Sequence, residues 1–262
     1  MRNEKALAES RSFGVRNVPT LRPLGWLARG LQDLWRCPVP GLLHGLAAAL
    51  FGMLIWRAAR DHFWLLAGAF SGFLLVAPVV ATGLYAISRR LERDQPASWR
   101  DALHAWRPHD SRLVIFGLLL ALAGTGWVLT SASLITGFAP APINSPRDFL
   151  RVVVLDDHSW LFEAWLMLGG VLAAPVFASS VVAIPMLLDR QVSVFAAVLT
   201  SWRVVMAHPL PMALWAALIL GLSLLGMAAA MLGLIVVVPW LGHASWHAYR
   251  DLVDTSRLPE RA

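Results

Sequence analysis

The sequence is poor in the residues that soluble surfaces and disulfide-stapled scaffolds use. Its 262 residues include one cysteine, Cys37, so the chain can form neither an internal disulfide nor a cysteine-based metal cluster. One lysine, Lys5, stands against 21 arginines, and charged residues make up only 15% of the chain, against about 25% in an average soluble domain. The position of the gaps says more than the total. Phe63–Ser88, Leu113–Phe138 and Ala164–Leu188 contain no Asp, Glu, Lys, Arg or His, and Pro209–Tyr249 runs 41 residues without a carboxylate or an arginine. Proton-coupled pumps, charge-selective pores and intramembrane carboxylate enzymes normally depend on a desolvated ionisable group at membrane depth, and these stretches carry no Asp, Glu, Lys or Arg. No Walker A loop, Rossmann glycine pattern, Gly-x-Ser-x-Gly elbow or His-Glu-x-x-His helix occurs, so no catalytic residue is assigned.

What the chain does have is apolar length. It is 58% hydrophobic with a mean hydropathy of +0.62, the composition of an all-α polytopic membrane bundle. Val39–Trp56 is a first, short span of 18 residues, roughly 27 Å as a helix. Residues 63–88, 113–138 and 164–188 are spans two to four. The 41-residue run would measure roughly 60 Å as one helix, about twice the membrane thickness. It therefore folds as a hairpin, spans about 209–228 and 230–249, with the reversal between Gly226 and Gly233. Six spans bring both termini to one side. Counting Lys and Arg in the connections puts 18 on that side and 4 on the other, so the positive-inside rule predicts cytoplasmic N- and C-termini in a bacterial inner membrane. Net charge divides as +7 inside and −1 outside, and anionic cytoplasmic-leaflet lipids are the expected partners. The basic residues sit beside span ends and form no separate domain, so nucleic acid is not an expected partner. Residues 1–23 read as a basic cytoplasmic segment without a cleavable signal, 24–250 as the membrane domain and 251–262 as a cytoplasmic tail.

The cytoplasmic segments resemble one another. Trp35-Arg36, Trp106-Arg107 and Trp202-Arg203 each follow a short amphipathic stretch and precede a proline and an odd-numbered span. Trp99, Ala102, Leu103 and Trp106 fall at i, i+3, i+4 and i+7; Phe195, Val198, Leu199 and Trp202 repeat the spacing, and Leu24, Leu27, Leu31, Leu34 and Trp35 form a looser stripe. Ser98 and Asp101 supply a capping-box start. Three interfacial helices are expected at about 24–36, 98–107 and 194–206, apolar side toward lipid, with Trp and Arg at the headgroups. Ala77-Pro78-Val79-Val80-Ala81 also recurs as Ala174-Pro175-Val176-Phe177-Ala178, which suggests a threefold tandem repeat of an interfacial helix plus two spans.

Three further features could carry chemistry or packing. His243 and His247 lie four apart on one helical face near the end of the last span, a spacing that suits a shared metal or a haem ligand. Trp246 and Tyr249 beside them also fit an interfacial belt, and two histidines alone leave a metal site incomplete, so no cofactor is expected and haem or metal is the alternative. Asp156-Asp157-His158 lies in the outer loop, where a solvated role is the expectation. Gly68 with Gly72, and Gly117, Gly124, Gly126, Gly169 and Gly170, are the glycines expected to admit close helix approach.

The run Ala77–Arg93, the segment Trp99–Trp106 and the closing Gly-His-Ala-Ser-Trp-His-Ala-Tyr-Arg-Asp-Leu of Gly242–Leu252 resemble a family of predicted bacterial integral membrane proteins of unknown function. The resemblance runs from about Val18 to Val253. Some members carry the label of a putative cytochrome c oxidase subunit I. Haem–copper catalytic subunits have roughly twice as many spans and a larger histidine set than His44, His208, His243 and His247 provide, so the resemblance implies the topology and transfers no activity. The sequence thus points to a non-enzymatic scaffold or accessory factor for a membrane complex or its lipids, with a channel or carrier for a small neutral solute, or a haem- or metal-binding protein, as alternatives.

Overall fold

In the computed structural model the described residues are 13–59, 81–105, 111–156, 160–256 and 260. Helix α1 (Arg22–Arg36) is followed at once by α2 (Pro38–Ala59), then by α3 (Thr82–Glu92), α4 (Trp99–Ala105) and α5 (Ser111–Phe138). A short α6 (Pro146–Phe149) continues as one π-helical turn, Leu150–Val154, before α7 (Leu161–Ser180), α8 (Ala183–Asp189), α9 (Val194–Ala207), α10 (Pro209–Ala228) and α11 (Leu234–Leu252). The expected helices at 24–36, 98–107 and 194–206 are present as α1, α4 and α9, each within a few residues. The Ser98 backbone N–H and hydroxyl both donate to the Asp101 carboxylate, at 2.7 and 2.8 Å, and start α4. Ser193 accepts from the Ala196 N–H and starts α9. One feature was not anticipated: Gly14–Val15 (β1) pairs antiparallel with Val253–Asp254 (β2), tying the basic N-terminal segment to the tail.

Among the described residues, four runs are long and apolar enough to cross a membrane: Pro38–Arg57, Arg112–Phe138, Leu161–Asp189 and Pro209–Ala228. They match the expected spans one, three, four and five. Most of the second span, residues 60–80, lies outside the described residues. The sixth is different. The reversal falls where expected, with α10 ending at Ala228 and α11 starting at Leu234, but α11 is not among the four. Its second half carries His243, Ser245, His247, Arg250 and Asp251, too much polarity for a lipid-facing helix.

The chain divides into two compact units. Unit 1 comprises Met1–Leu50, Pro78–Phe116 and Phe177–Ala262, and α11 is its hub. Glycines set the approach of its neighbours. A Cβ on Gly30 of α1 would lie 2.6 Å from the Ala244 backbone nitrogen, and one on Gly45 of α2 would lie 2.0 Å from the Ile235 carbonyl oxygen. On α11 itself, a Cβ at Gly242 would meet Leu84 of α3 at 2.5 Å. The first two are backbone crossings that only glycine permits, and the third seats a side chain against the helix. They differ from the expected set: Gly126 and Gly170 of unit 2 face open space, while Gly169 does pack, against Trp127. Gly68 and Gly72 lie outside the described residues.

Unit 2 comprises Phe51–Ala77 and Gly117–Val176. Its core gathers Ile135, Ile143, Val152, Val153 and Leu161, so the π-helical turn buries Val152 and Val153. Trp165 is the aromatic centre of this unit, 5.6 Å from Trp127 and 5.3 Å from Phe149 between ring centroids, and its indole N–H donates to Ser131.

Candidate functional site

The polar residues of α11 and those of α1, α3 and α8 meet in three connected places in unit 1. The first is a buried junction. His247 Nε2 lies 2.9 Å from Asp33 Oδ2, the Ser88 hydroxyl donates to the same carboxylate oxygen at 2.7 Å, and Ser88 Oγ is 2.7 Å from His243 Nδ1. The Ser88 proton is committed to Asp33, so its oxygen accepts from His243 Nδ1–H; this places the histidine's lone pair on Nε2. Asp33 is held because burial, which pushes its pKa up, is outweighed by the hydrogen bonds from His247 and Ser88, so its carboxyl titrates below the usual range. Ser88 and His243 are fully buried. His243 Nε2 has no hydrogen-bond partner among the described residues, and a Cβ on Gly41 would stand only 3.6 Å from it.

The second place centres on Asp189, also buried. It forms an ion pair with Arg89, whose Nε lies 3.1 Å from Oδ1, and accepts hydrogen bonds from Arg190 Nε at 2.9 Å and the Tyr249 hydroxyl at 2.8 Å. Arg250 bridges toward Glu92, at 2.9 Å, and Glu92 also accepts from the Trp246 indole at 3.0 Å. Glu92 and Asp189 are 97 residues apart, the interval of the Ala-Pro-Val repeat, and both end a short helix against α11. The third place is Asp251, where Arg22, Trp26 and Arg29 of α1 all donate to one carboxylate oxygen. Burial raises its pKa and these bonds, Arg22 first, lower it further than burial lifts it.

These partners revise several expectations. His243 and His247 do share a helical face, and there they address Ser88 and Asp33. No cluster of three or more His, Cys, Asp or Glu suited to a metal occurs among the described residues. Trp246 and Tyr249 are not an interfacial belt. Both are at most 1% exposed, because their polar atoms have carboxylate partners inside the protein, which the headgroup region would otherwise supply. The α1 stripe divides: Leu27 and Leu34 are buried, chiefly against α11, while Leu24 and Trp35 remain exposed, as does Arg36. On α9 the expected stripe faces outward. Phe195 and Trp202 are exposed, and the buried face is Ala196, Ala197, Thr200, Ser201 and Val204. Trp99 is exposed on α4; Trp106 and Arg107 lie outside the described residues, as do Asp157 and His158. Arg203 is exposed and reaches the Phe13 carbonyl.

Sequence reasoning missed Asp33, Ser88, Glu92, Asp189 and Asp251. The only signal for them was that each is a polar residue at the edge of an apolar segment, a description that also fits solvated residues.

The apolar helices and the polar junctions that join their ends define an all-α integral membrane protein. Residues 65–189 match the model of a family described as "Predicted integral membrane protein (DUF2189)", the unknown-function membrane family that the sequence resembles. No curated protein and no solved structure matches the chain. The matched region holds Ser88, Glu92 and Asp189, and leaves out Asp33, His243, His247 and Asp251.

Proposed function

We propose that this is a six-span inner-membrane protein with cytoplasmic termini that acts as a non-enzymatic scaffold or accessory factor for a membrane complex. One observation carries the reading: the buried carboxylates of unit 1 are held by donors of the chain itself. Asp33 and Asp251 each accept two or more hydrogen bonds from other parts of the chain, Asp189 accepts one from Tyr249 and pairs with Arg89, and Ser88 and His243 are closed off from solvent. A catalytic or transport centre needs a path for its substrate. A junction built this way instead locks α1, α3 and α8 to α11 and makes a rigid cytoplasmic-side platform. The exposed apolar stripes of α4 and α9, with Trp99, Phe195 and Trp202 outward, support contact of that platform with anionic lipid. The 18-to-4 basic asymmetry supports the orientation.

Crosslinking in native membranes, followed by mild-detergent purification and mass spectrometry, tests the role. The expected result is a membrane-protein partner recovered in fixed ratio. A monomer recovered without any partner, from crosslinked and uncrosslinked membranes alike, overturns it.

A further inference from the structure

The first half of α2 and helix α4 enclose an apolar groove of about 180 Å³, walled by Pro40, Leu43, His44 and Ala47 on one side and Trp99, Ala102 and Leu103 on the other. Helix α3 packs close to two of the lining residues at Gly83, where a Cβ would stand 2.7 Å from His44 Nε2 and 3.1 Å from Ala102 Cβ. His44 is held in place by its Nδ1, 2.7 Å from the Pro40 carbonyl oxygen. At the rim, Leu43, Trp99 and Leu103 are each about half exposed, an open apolar cluster that water would penalise. Beside that rim sits a cation. The Arg100 guanidinium lies 5.8 Å from the centroid of the Trp99 ring, and no ion pair engages it among the described residues. The carboxylate of its own helix, Asp101, is taken by Ser98 and Arg90.

An apolar cleft bordered by an arginine that has no carboxylate partner among the described residues matches an amphiphile with an anionic head. A free anion would leave the groove unused, and a neutral lipid would leave Arg100 unused. We infer that the groove seats a segment of one acyl chain of an anionic phospholipid and that Arg100 holds its phosphate. Guanidinium binds phosphate through two parallel hydrogen bonds, and its stacking on Trp99 keeps the fork beside the cleft. The inference rests on the N-terminal end of α2 meeting the cytoplasmic leaflet, the leaflet in which anionic lipids concentrate.

The full-length protein in detergent is titrated with dioleoyl phosphatidylglycerol or dioleoyl phosphatidylcholine, and bound lipids are counted by native mass spectrometry. One phosphatidylglycerol is expected to remain at detergent concentrations that strip phosphatidylcholine. Arg100→Gln should weaken phosphatidylglycerol retention roughly tenfold and leave phosphatidylcholine unchanged; Ala47→Trp, which fills the groove from an exposed position, should remove the retained lipid. Leu103→Trp serves the same purpose if Ala47→Trp elutes as an aggregate. Equal retention of the two lipids by the parent protein, or full retention by Arg100→Gln or by a folded groove-filling variant, overturns the inference. Because the readout is lipid stoichiometry, loss of the site leaves the partner-recovery result of the scaffold reading untouched, and the two fail separately.

Discussion

His247 Nε2 and Asp33 Oδ2, 214 residues apart in sequence, lie 2.9 Å from one another in a buried junction. The carboxylate oxygen that meets His247 also accepts the Ser88 hydroxyl. One atom thus ties α1, α3 and α11 together. A buried carboxylate of this kind is costly to strand, because its desolvation is offset only while all its donors are present.

Asp33→Ala is therefore expected to lower stability by about 3 kcal/mol, read as a shift in denaturant midpoint by tryptophan fluorescence in detergent. His247→Ala should cost less in the Asp33→Ala background than in the parent, giving a coupling of about 1 kcal/mol or more. Additive losses would show that the pair does not act as a unit.

Helix approach provides a second test, by contrast. Leucine at position 45 would drive a Cβ to 2.0 Å from the Ile235 carbonyl oxygen, whereas leucine at position 126 meets nothing within 4 Å. Gly45→Leu should cost upwards of about 3 kcal/mol or prevent folding, and Gly126→Leu should stay within about 0.5 kcal/mol of the parent. Monodispersity in size-exclusion chromatography and the thermal midpoint report both.

The α10–α11 reversal contains two non-glycine residues in the left-handed region, Ala230 at φ 50° and Met231 at φ 66°. Ala230 is exposed, so its side chain offers no packing in return for that strain. Ala230→Gly should raise stability by about 0.5 kcal/mol, the left-handed penalty less the extra unfolded-state entropy of glycine. A lower thermal midpoint would contradict this.

Acid sensitivity follows from the two depressed carboxylates on α1 and α11. Asp33 and Asp251 both titrate below the usual range in the folded protein, so the folded state binds those protons less readily than the unfolded chain does. Their stabilisation is complete above the unfolded value of about pH 4 and is lost as pH falls through the folded values. A fall in the denaturant midpoint is expected between pH 4 and lower pH, with little change from pH 5 to 7 attributable to these groups. Asp251→Asn should flatten that acid limb; an unchanged limb in this variant would assign the loss elsewhere.

Element boundaries were legible wherever local chemistry decides them. Ser98 with Asp101, and Ser193 with Ala196, begin helices through bonds made within four residues. The hairpin between Ala228 and Leu234 falls where one helix would outrun a membrane. Trp246 and Tyr249 were misread as headgroup anchors because an aromatic residue at a span end has the same sequence signature in two environments. Only the presence of Glu92 and Asp189 across the packing interface separates them. The packing glycines show the same limit. Gly30, Gly41, Gly45 and Gly242 are indistinguishable in sequence from Gly126 and Gly170, since what matters is whether another backbone passes within reach.

Composition and the spacing of charge determined, without any structure, that the chain is helical and belongs in a membrane. Those properties are sums over neighbouring residues, and burial in hydrocarbon rewards them segment by segment. The tertiary structure alone decided that Asp33 meets Ser88 and His247, that Asp189 meets Arg89 and Tyr249, that Gly45 faces Ile235, and that α11 is a protein-packed hub. Each depends on pairs that lie far apart along the chain, so their partners exist only once the helices have packed.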